Sequence, residues 1–243
     1  MSTFRGLERG LLAGAALAMA VLSPAAPHAE AGIPLGPLMP KLQASSARFE
    51  AMLEKASFTV ALRVESFDRA GKVREVKDGA FRLRAAGLRH RVEVLRYSEN
   101  GRDLTAEARA KARESEGEKP DPDDQVHMPF LASEVSKYVF RTGETDVRDR
   151  ARVRIYFRAK KPARTLFDGS AWVDSRTGEV LSMGVSPSKR ALFVDRLGIT
   201  LEFGVPTKEG PAVSRIDFDG EGGFWFFHER FHGSALLSEY AIP

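Results

Sequence analysis

From Ser57 onward apolar side chains recur at every second position, and no other feature constrains the fold of this chain so tightly. Phe58, Val60, Leu62 and Val64 are separated by Thr59, Ala61 and Arg63 and followed by Glu65. Successive side chains of a strand point to opposite faces, so such a segment buries one face and exposes the other. Phe81 and Leu83 alternate with Arg82 and Arg84 in the same way, and an Ala86-Gly87 turn leads into a strand from Leu88 to Tyr97. Further strands are predicted near 137–142, 150–160, 164–174, 179–186, 192–204, 212–219, 223–232 and 235–240. Leu197, Ile199 and Leu201 alternate with Gly198 and Thr200, and Ile216 and Phe218 with Arg215 and Asp217. No strand–helix–strand alternation is visible. The pattern predicts a mainly β chain with a few helices (α+β), built on one continuous antiparallel sheet with a single buried face.

Two helices are predicted beside it. Leu38, Leu42, Phe49, Met52, Leu53 and Ala56 recur at helical spacing, giving an amphipathic helix at about 40–56 after a lead-in from Gly32 to Pro40. A second, rich in Ala, Glu and Arg, runs from Thr105 to about Glu114, behind an Asn100-Gly101 turn and capped by Asp103 or Thr105. An acidic insert near 114–125 follows, with six acidic residues and one lysine between Glu114 and Asp124 and prolines at 120 and 122. Such a composition reads as a solvated loop. Asp121-Pro122-Asp123-Asp124 lacks the glycine and distal glutamate of a calcium loop. No repeat or Pro/Ser linker divides the remainder, so residues 32–243 are expected to form one domain.

The first 31 residues read as an address. Arg5 and Arg9 precede the 12-residue apolar run Leu11–Leu22, which is followed by Ser23-Pro24 and the small-residue site Ala29-Glu30-Ala31. This is the pattern of a secretory signal peptide cleaved near Ala31, and the run is short of the roughly 20 residues that span a bilayer. The chain contains no cysteine. That excludes disulfides, thiol nucleophiles, cysteine-ligated metals and a lipid anchor through cysteine. The expectation is an exported, periplasmic protein that is not lipidated.

Two motifs compete for a role. His228-Glu229-Arg230-Phe231-His232 satisfies the H-E-x-x-H signature of zinc hydrolases. That chemistry needs a helix, where residues i and i+4 converge, whereas in a strand they stand about 13 Å apart. The preceding Phe224-Trp225-Phe226-Phe227 favours a strand. The expected setting is an edge or rim strand with two exposed histidines. The second motif is basic. Arg148, Arg150, Arg152, Arg154, Arg158 and Lys160 share one parity, with Val153, Ile155 and Phe157 on the other. From Arg141 to Arg164 there are nine basic and three acidic residues, a stripe suited to anionic headgroups or an acidic partner, or simply to a solvated face. The net charge of +4 is too mild for a dedicated nucleic-acid binder, so no nucleic acid is expected. Gly184-Val185-Ser186-Pro187-Ser188 is not a nucleophile elbow, and no Gly-rich phosphate loop precedes a helix. His90 and His127 have no acid or serine partners by spacing. No catalytic residue, metal or cofactor is assigned.

Gly169-Ser170-Ala171-Trp172-Val173-Asp174-Ser175-Arg176-Thr177-Gly178-Glu179-Val180-Leu181 resembles the strand-turn-strand of the LolA/LolB-like outer-membrane lipoprotein-sorting superfamily. The order of features along residues 32–243 resembles it too. The resemblance implies an unclosed, curved antiparallel β half-barrel whose concave face is covered by helices and accepts acyl chains. Strand parity nominates Phe58, Val60, Leu62, Phe81, Leu83, Phe140, Ile155, Phe157, Leu197, Ile199 and Leu201 for that face, with plain core packing as the alternative. The two helices are lid candidates. Without a lipidated cysteine the chain is more similar to the soluble carrier than to the anchored acceptor. Its expected function is carriage of a lipoprotein acyl chain or other lipid to an envelope partner, with transient membrane contact. A non-catalytic sensing or protein-interaction module stands second, its docking surface drawn from Arg148, Arg150, Arg152, Arg154 and Arg158. A zinc hydrolase using His228, Glu229 and His232 stands third.

Overall fold

A computed structural model describes residues 34–85, 90–115, 126–189, 194–224 and 227–243. The predicted signal peptide, the Ala86-Gly87 turn and nearly all of the acidic insert, including its Asp121–Asp124 segment, lie outside the described residues. The elements in order are α1 (Leu35–Leu53), β1 (Ser57–Phe67), β2 (Val73–Ala85), β3 (His90–Glu99), β4 (Arg102–Asp103), α2 (Thr105–Ser115), a short 3-10 turn (Val135–Lys137), β5 (Tyr138–Thr145), β6 (Arg152–Ala159), β7 (Phe167–Asp174), β8 (Val180–Pro187), β9 (Val194–Thr207), β10 (Gly210–Phe224) and β11 (Phe227–Ala241). The strands form one antiparallel sheet in the order β4-β3-β2-β1-β11-β10-β9-β8-β7-β6-β5. The last strand thus inserts between β1 and β10, and β4 and β5 are left as unjoined ends.

Laid flat, eleven strands would span roughly 48 Å at about 4.8 Å each. A 19-residue helix is only about 28 Å long. Yet Leu38 and Leu42 of α1, Ala108 and Ala112 of α2, Phe58 and Phe81 at one side of the sheet and Tyr138 and Phe157 at the other belong to one buried apolar cluster. The sheet therefore curves around its covering elements. Register shifts at Ala80/Phe81, Thr142/Thr145, Trp172/Val173 and around Val213 supply local bends. The result is an unclosed, mainly β half-barrel: alternation predicted the single sheet with one buried face, and the resemblance of the Gly169–Leu181 segment implied its open, curved form. Its outer face carries ion pairs such as Arg63–Asp78, Arg84–Glu93 and Arg215–Asp217.

Two boundaries differ from expectation. Helix α1 begins at Leu35, not near 40. The first four helical N–H groups have no intrahelical acceptor, so Pro37 fits the first turn, and Pro40 forgoes a single bond. The three strands expected at 212–219, 223–232 and 235–240 are two, β10 and β11, each 15 residues long. Gly220, Gly222, Gly223 and Gly233 were suited to turns but stand inside strands. Gly220 pairs with Phe231, and Gly233 with Phe218. In both pairs the ring occupies the space that a Cβ on the glycine would take. By contrast the Asn100-Gly101 turn is as read: both residues have positive φ, at 50° and 80°, the pairing that a two-residue hairpin demands.

Gly233→Val is expected to destabilise the protein by about 1–3 kcal/mol through overlap with the Phe218 ring. Gly184→Ala, where a Cβ meets nothing within 4 Å, is the matched control. Urea unfolding reads both, and an unchanged midpoint for Gly233→Val contradicts the packing.

Candidate functional site

All eleven residues nominated for the apolar face converge on it. Phe58, Val60, Phe81, Leu83, Ile155, Phe157, Ile199 and Leu201 are buried in the core, and Leu62, Phe140 and Leu197 pack against it partly exposed. The face is covered in this structure, and the details of the cover decide what it can do.

Helix α1 supplies one half. Leu38, Leu42, Ser46 and Met52 point inward. Phe49 meets Phe203 of β9 edge-on at 5.3 Å, and Thr207 Oγ1, which donates to the Gly210 carbonyl at 2.6 Å, touches Met52 Sδ at 3.5 Å. The β7–β8 turn presses against the helix at its other end. Gly178, at φ +76°, lies so close to the Lys41 backbone that a Cβ would not fit, and Lys41 Nζ donates to the Ser175 carbonyl at 3.2 Å. Asp174 organises that turn by accepting from the Arg176 backbone N–H at 2.8 Å and from its guanidinium at 2.6 Å. The Arg176 side-chain bonds hold the Asp174 carboxyl below its usual range. Ser46 is 1% exposed, and its hydroxyl has no hydrogen-bond partner among the described residues. It lines a crevice of about 10 Å³ between α1 and the residues Val180, Phe203 and Pro211. A buried hydroxyl left unpaired by its neighbours weakens this docking by about 1–3 kcal/mol.

A loop supplies the other half, and the sequence reading missed it. Phe130, 0% exposed, inserts between Phe140 and Phe157 at ring distances of 5.6 and 5.7 Å. Tyr138 closes the cluster, at 6.1 Å from Phe157. Burial raises the Tyr138 phenol above its ordinary range. The loop is joined to the helix through Glu50, which accepts from the Met128 N–H at 3.0 Å and faces His127 Nδ1 at 3.2 Å. Glu134, buried behind the loop, is neutralised by Lys137 at 2.7 Å. The apolar run Met128–Leu131 just after the acidic insert was the available signal for this plug. Helix α2 covers less: it lies along β3 and, among the described residues, buries Ala108 and Ala112, with Asp103 accepting from the Thr105 N–H and hydroxyl at its start.

The basic stripe divides. Arg148 and Arg150 stand in the loop before β6, not on the strand, beside Asp146 and Asp149. Arg152 pairs with Asp149 at 3.5 Å. Arg154 pairs with Glu144 at 2.8 Å and stacks over Tyr156 and Trp172 at 5.1 and 5.7 Å. Burial would raise the Glu144 carboxyl, but its own backbone amide, Arg154 and Tyr156 together hold it below its usual range. Arg158 is exposed. His228, Glu229 and His232 lie on β11, where i and i+4 do not converge. Glu229 accepts from Arg74 at 2.8 Å, and His232 is exposed, opposite Glu65 and Asp219. Of the expected edge or rim setting, the rim is the one observed: β1 and β10 flank the strand, and the motif follows closely on the β10–β11 connection.

No family model matches this sequence, nor does any curated protein. Solved structures do resemble it. A putative outer membrane lipoprotein-sorting protein domain from Vibrio parahaemolyticus is 11% identical, with 84% of this chain and 91% of that one covered at a TM-score of 0.38. A LolA superfamily protein from Nitrosomonas europaea is 11% identical, with 83% and 93% covered at 0.36. A DUF1329 family protein from Desulfovibrio piger is 12% identical, with 85% and 93% covered at 0.39.

The Asp174 turn ties acid sensitivity to the cover. A carboxyl held low in the folded state contributes stability above the unfolded value and loses it as the pH falls through the folded one. Below about pH 4 the wild type is expected to lose stability that Asp174→Asn already lacks, so the gap between their thermal midpoints narrows with acid. A gap that stays constant from neutral to acid pH contradicts this role.

Proposed function

We propose that this protein is an exported, non-catalytic lipid carrier of the bacterial periplasm, which holds an acyl chain of a lipoprotein or another lipid against the apolar face of its half-barrel. A single observation carries the reading: the one apolar face of an unclosed sheet is sealed by a helix and a loop, not by a second sheet. Residues 32–243 act as one domain in this account, and residues 1–31 direct export. Handover to an envelope partner completes the cycle.

Magnitudes support exchange between cover and cargo. Leu38, Leu42, Met52 and Phe130 are the large side chains that the cover buries. At about 1.5–3 kcal/mol each they are worth roughly 6–12 kcal/mol. An acyl chain of about 15 methylenes leaving water, at about 0.8 kcal/mol each, offers roughly 12 kcal/mol. One long chain can therefore replace the cover with little net change, whereas a chain half as long, worth roughly 6 kcal/mol, reaches only the bottom of that range. The unpaired Ser46 hydroxyl tilts the balance toward release of the helix. Ligand and lid compete for the same surface, a population shift rather than the filling of a standing cavity.

Uptake of fatty acids of increasing length by the purified protein tests this. Binding is expected to appear steeply between about 8 and 16 carbons. Phe130→Ala removes part of the competitor and should tighten binding of the long chains about tenfold or more, even while it lowers the unfolding midpoint. Weaker or absent binding in Phe130→Ala, together with lower stability, would show that the face is ordinary core.

A further inference from the structure

The crevice between α1 and the β9–β10 turn holds a polar atom that the fold itself does not use. Ser46 lies on the inward face of the helix, one turn after Leu42, and its hydroxyl has no partner among the described residues. A surface serine turns to bulk water, but this one is buried. Around it stand the apolar side chains of Phe49, Met52, Val180, Phe203 and Pro211. The Gly210 carbonyl, also in the lining, already accepts from the Thr207 hydroxyl at 2.6 Å. The space of about 10 Å³ is that of one water molecule, which needs about two to four polar partners to be well held. The other polar side chains of the lining, Ser45 and Glu209, are more exposed than Ser46. The buried part of the crevice therefore suits a single hydrogen-bonding atom attached to an apolar body better than it suits water.

The crevice also has a direction. Phe203 in its wall is followed on the same face of β9 by Leu201 and Ile199, each two residues further, roughly 7 Å per step. Burial deepens along that line, from partly exposed Phe203 to Leu201 at 4% and Ile199 at 1%. A ligand with its polar atom at Ser46 has an apolar path ahead of it and solvent behind it, beside Glu209.

We propose that Ser46 determines specificity for the head of the cargo: its hydroxyl donates to the carbonyl oxygen of an acyl ester or amide, the acyl chain runs inward along β9, and the alcohol or amine part of the lipid stays outside. This rests on the carrier reading above and adds the chemistry of the cargo to it. A carbonyl is the polar group that an acyl chain carries at its first carbon, and it accepts without donating, so it matches a hydroxyl with a proton to give. A free carboxylate fits less well. A buried anion needs a cation, and the one charged side chain among the described lining residues is the acid Glu209. The donor that is orphaned while the cover is closed on the sheet is satisfied once α1 closes over an acyl chain.

Displacement of a fluorescent long-chain fatty acid from the purified protein by 1-monopalmitoylglycerol and by 1-O-hexadecylglycerol tests this, because the two share chain length and glycerol and differ in the carbonyl. The wild type is expected to bind the ester about five- to tenfold more tightly than the ether. In Ser46→Ala that preference should vanish. The ester-to-ether ratio is the readout, since a change in the stability of the cover acts on both lipids alike. Palmitate should compete more weakly than the ester in the wild type. A wild-type ratio near one, a ratio that survives Ser46→Ala, or a bound probe that neither glycerol lipid displaces would overturn the proposal and leave the carrier reading standing. Palmitate competing as well as the ester would overturn the assignment to a neutral carbonyl. Failure of the probe and of both lipids to bind would contradict the carrier reading itself, and the proposal would fall with it.

Discussion

Because β4 and β5 do not meet, the sheet cannot bury its apolar face by closing on itself, and water must be kept from that face by something else. Nineteen residues of helix and one loop do it. Each holds through a few directed contacts: Lys41 on the β7–β8 turn, Phe49 on Phe203, Glu50 on Met128, and Phe130 between Phe140 and Phe157. Glu50 makes helix and loop one unit. A cover assembled this way is less stable than the sheet beneath it, whose strands are joined by continuous ladders, and it is the part expected to open first.

Much of the sheet was legible because parity is a strong local signal. Phe58, Val60, Phe81, Leu83, Ile155, Phe157, Ile199 and Leu201 all reach the face that alternation assigns them. The failures have physical causes. Glycine marks turns through its conformational freedom, but Gly220 and Gly233 are present because Phe231 and Phe218 need the room. That pairing is set by register across two strands and is invisible along one. Phe130 was missed because a plug has no period; it is a single side chain on an irregular loop whose partners lie on β5 and β6. The cationic stripe was counted correctly, but its compensation by Glu144 and Asp149 depends on how the β5–β6 loop folds back.

Helix α1 and the Phe130 plug hold opposite ends of the half-barrel. Helix α1 is latched at the end that carries the β7–β8 and β9–β10 turns, through Lys41, Met52 and the crevice around Ser46. The Phe130 plug sits near Tyr138 and Phe157, close to where β5 begins and β6 ends. Glu50 joins the loop of the plug to α1, so the two parts of the cover are linked from one end of the half-barrel to the other.

The central claim is that the cover lifts from the sheet to admit an acyl chain. The chain contains no cysteine, so Met52→Cys and Thr207→Cys would be its two thiols, placed where α1 touches β9. Joining them with a short cleavable bifunctional reagent and following uptake of a fluorescent long-chain fatty acid tests the claim most directly. Uptake should be abolished in the tethered protein and restored on cleavage. Undiminished uptake by a fully tethered, folded protein would contradict it.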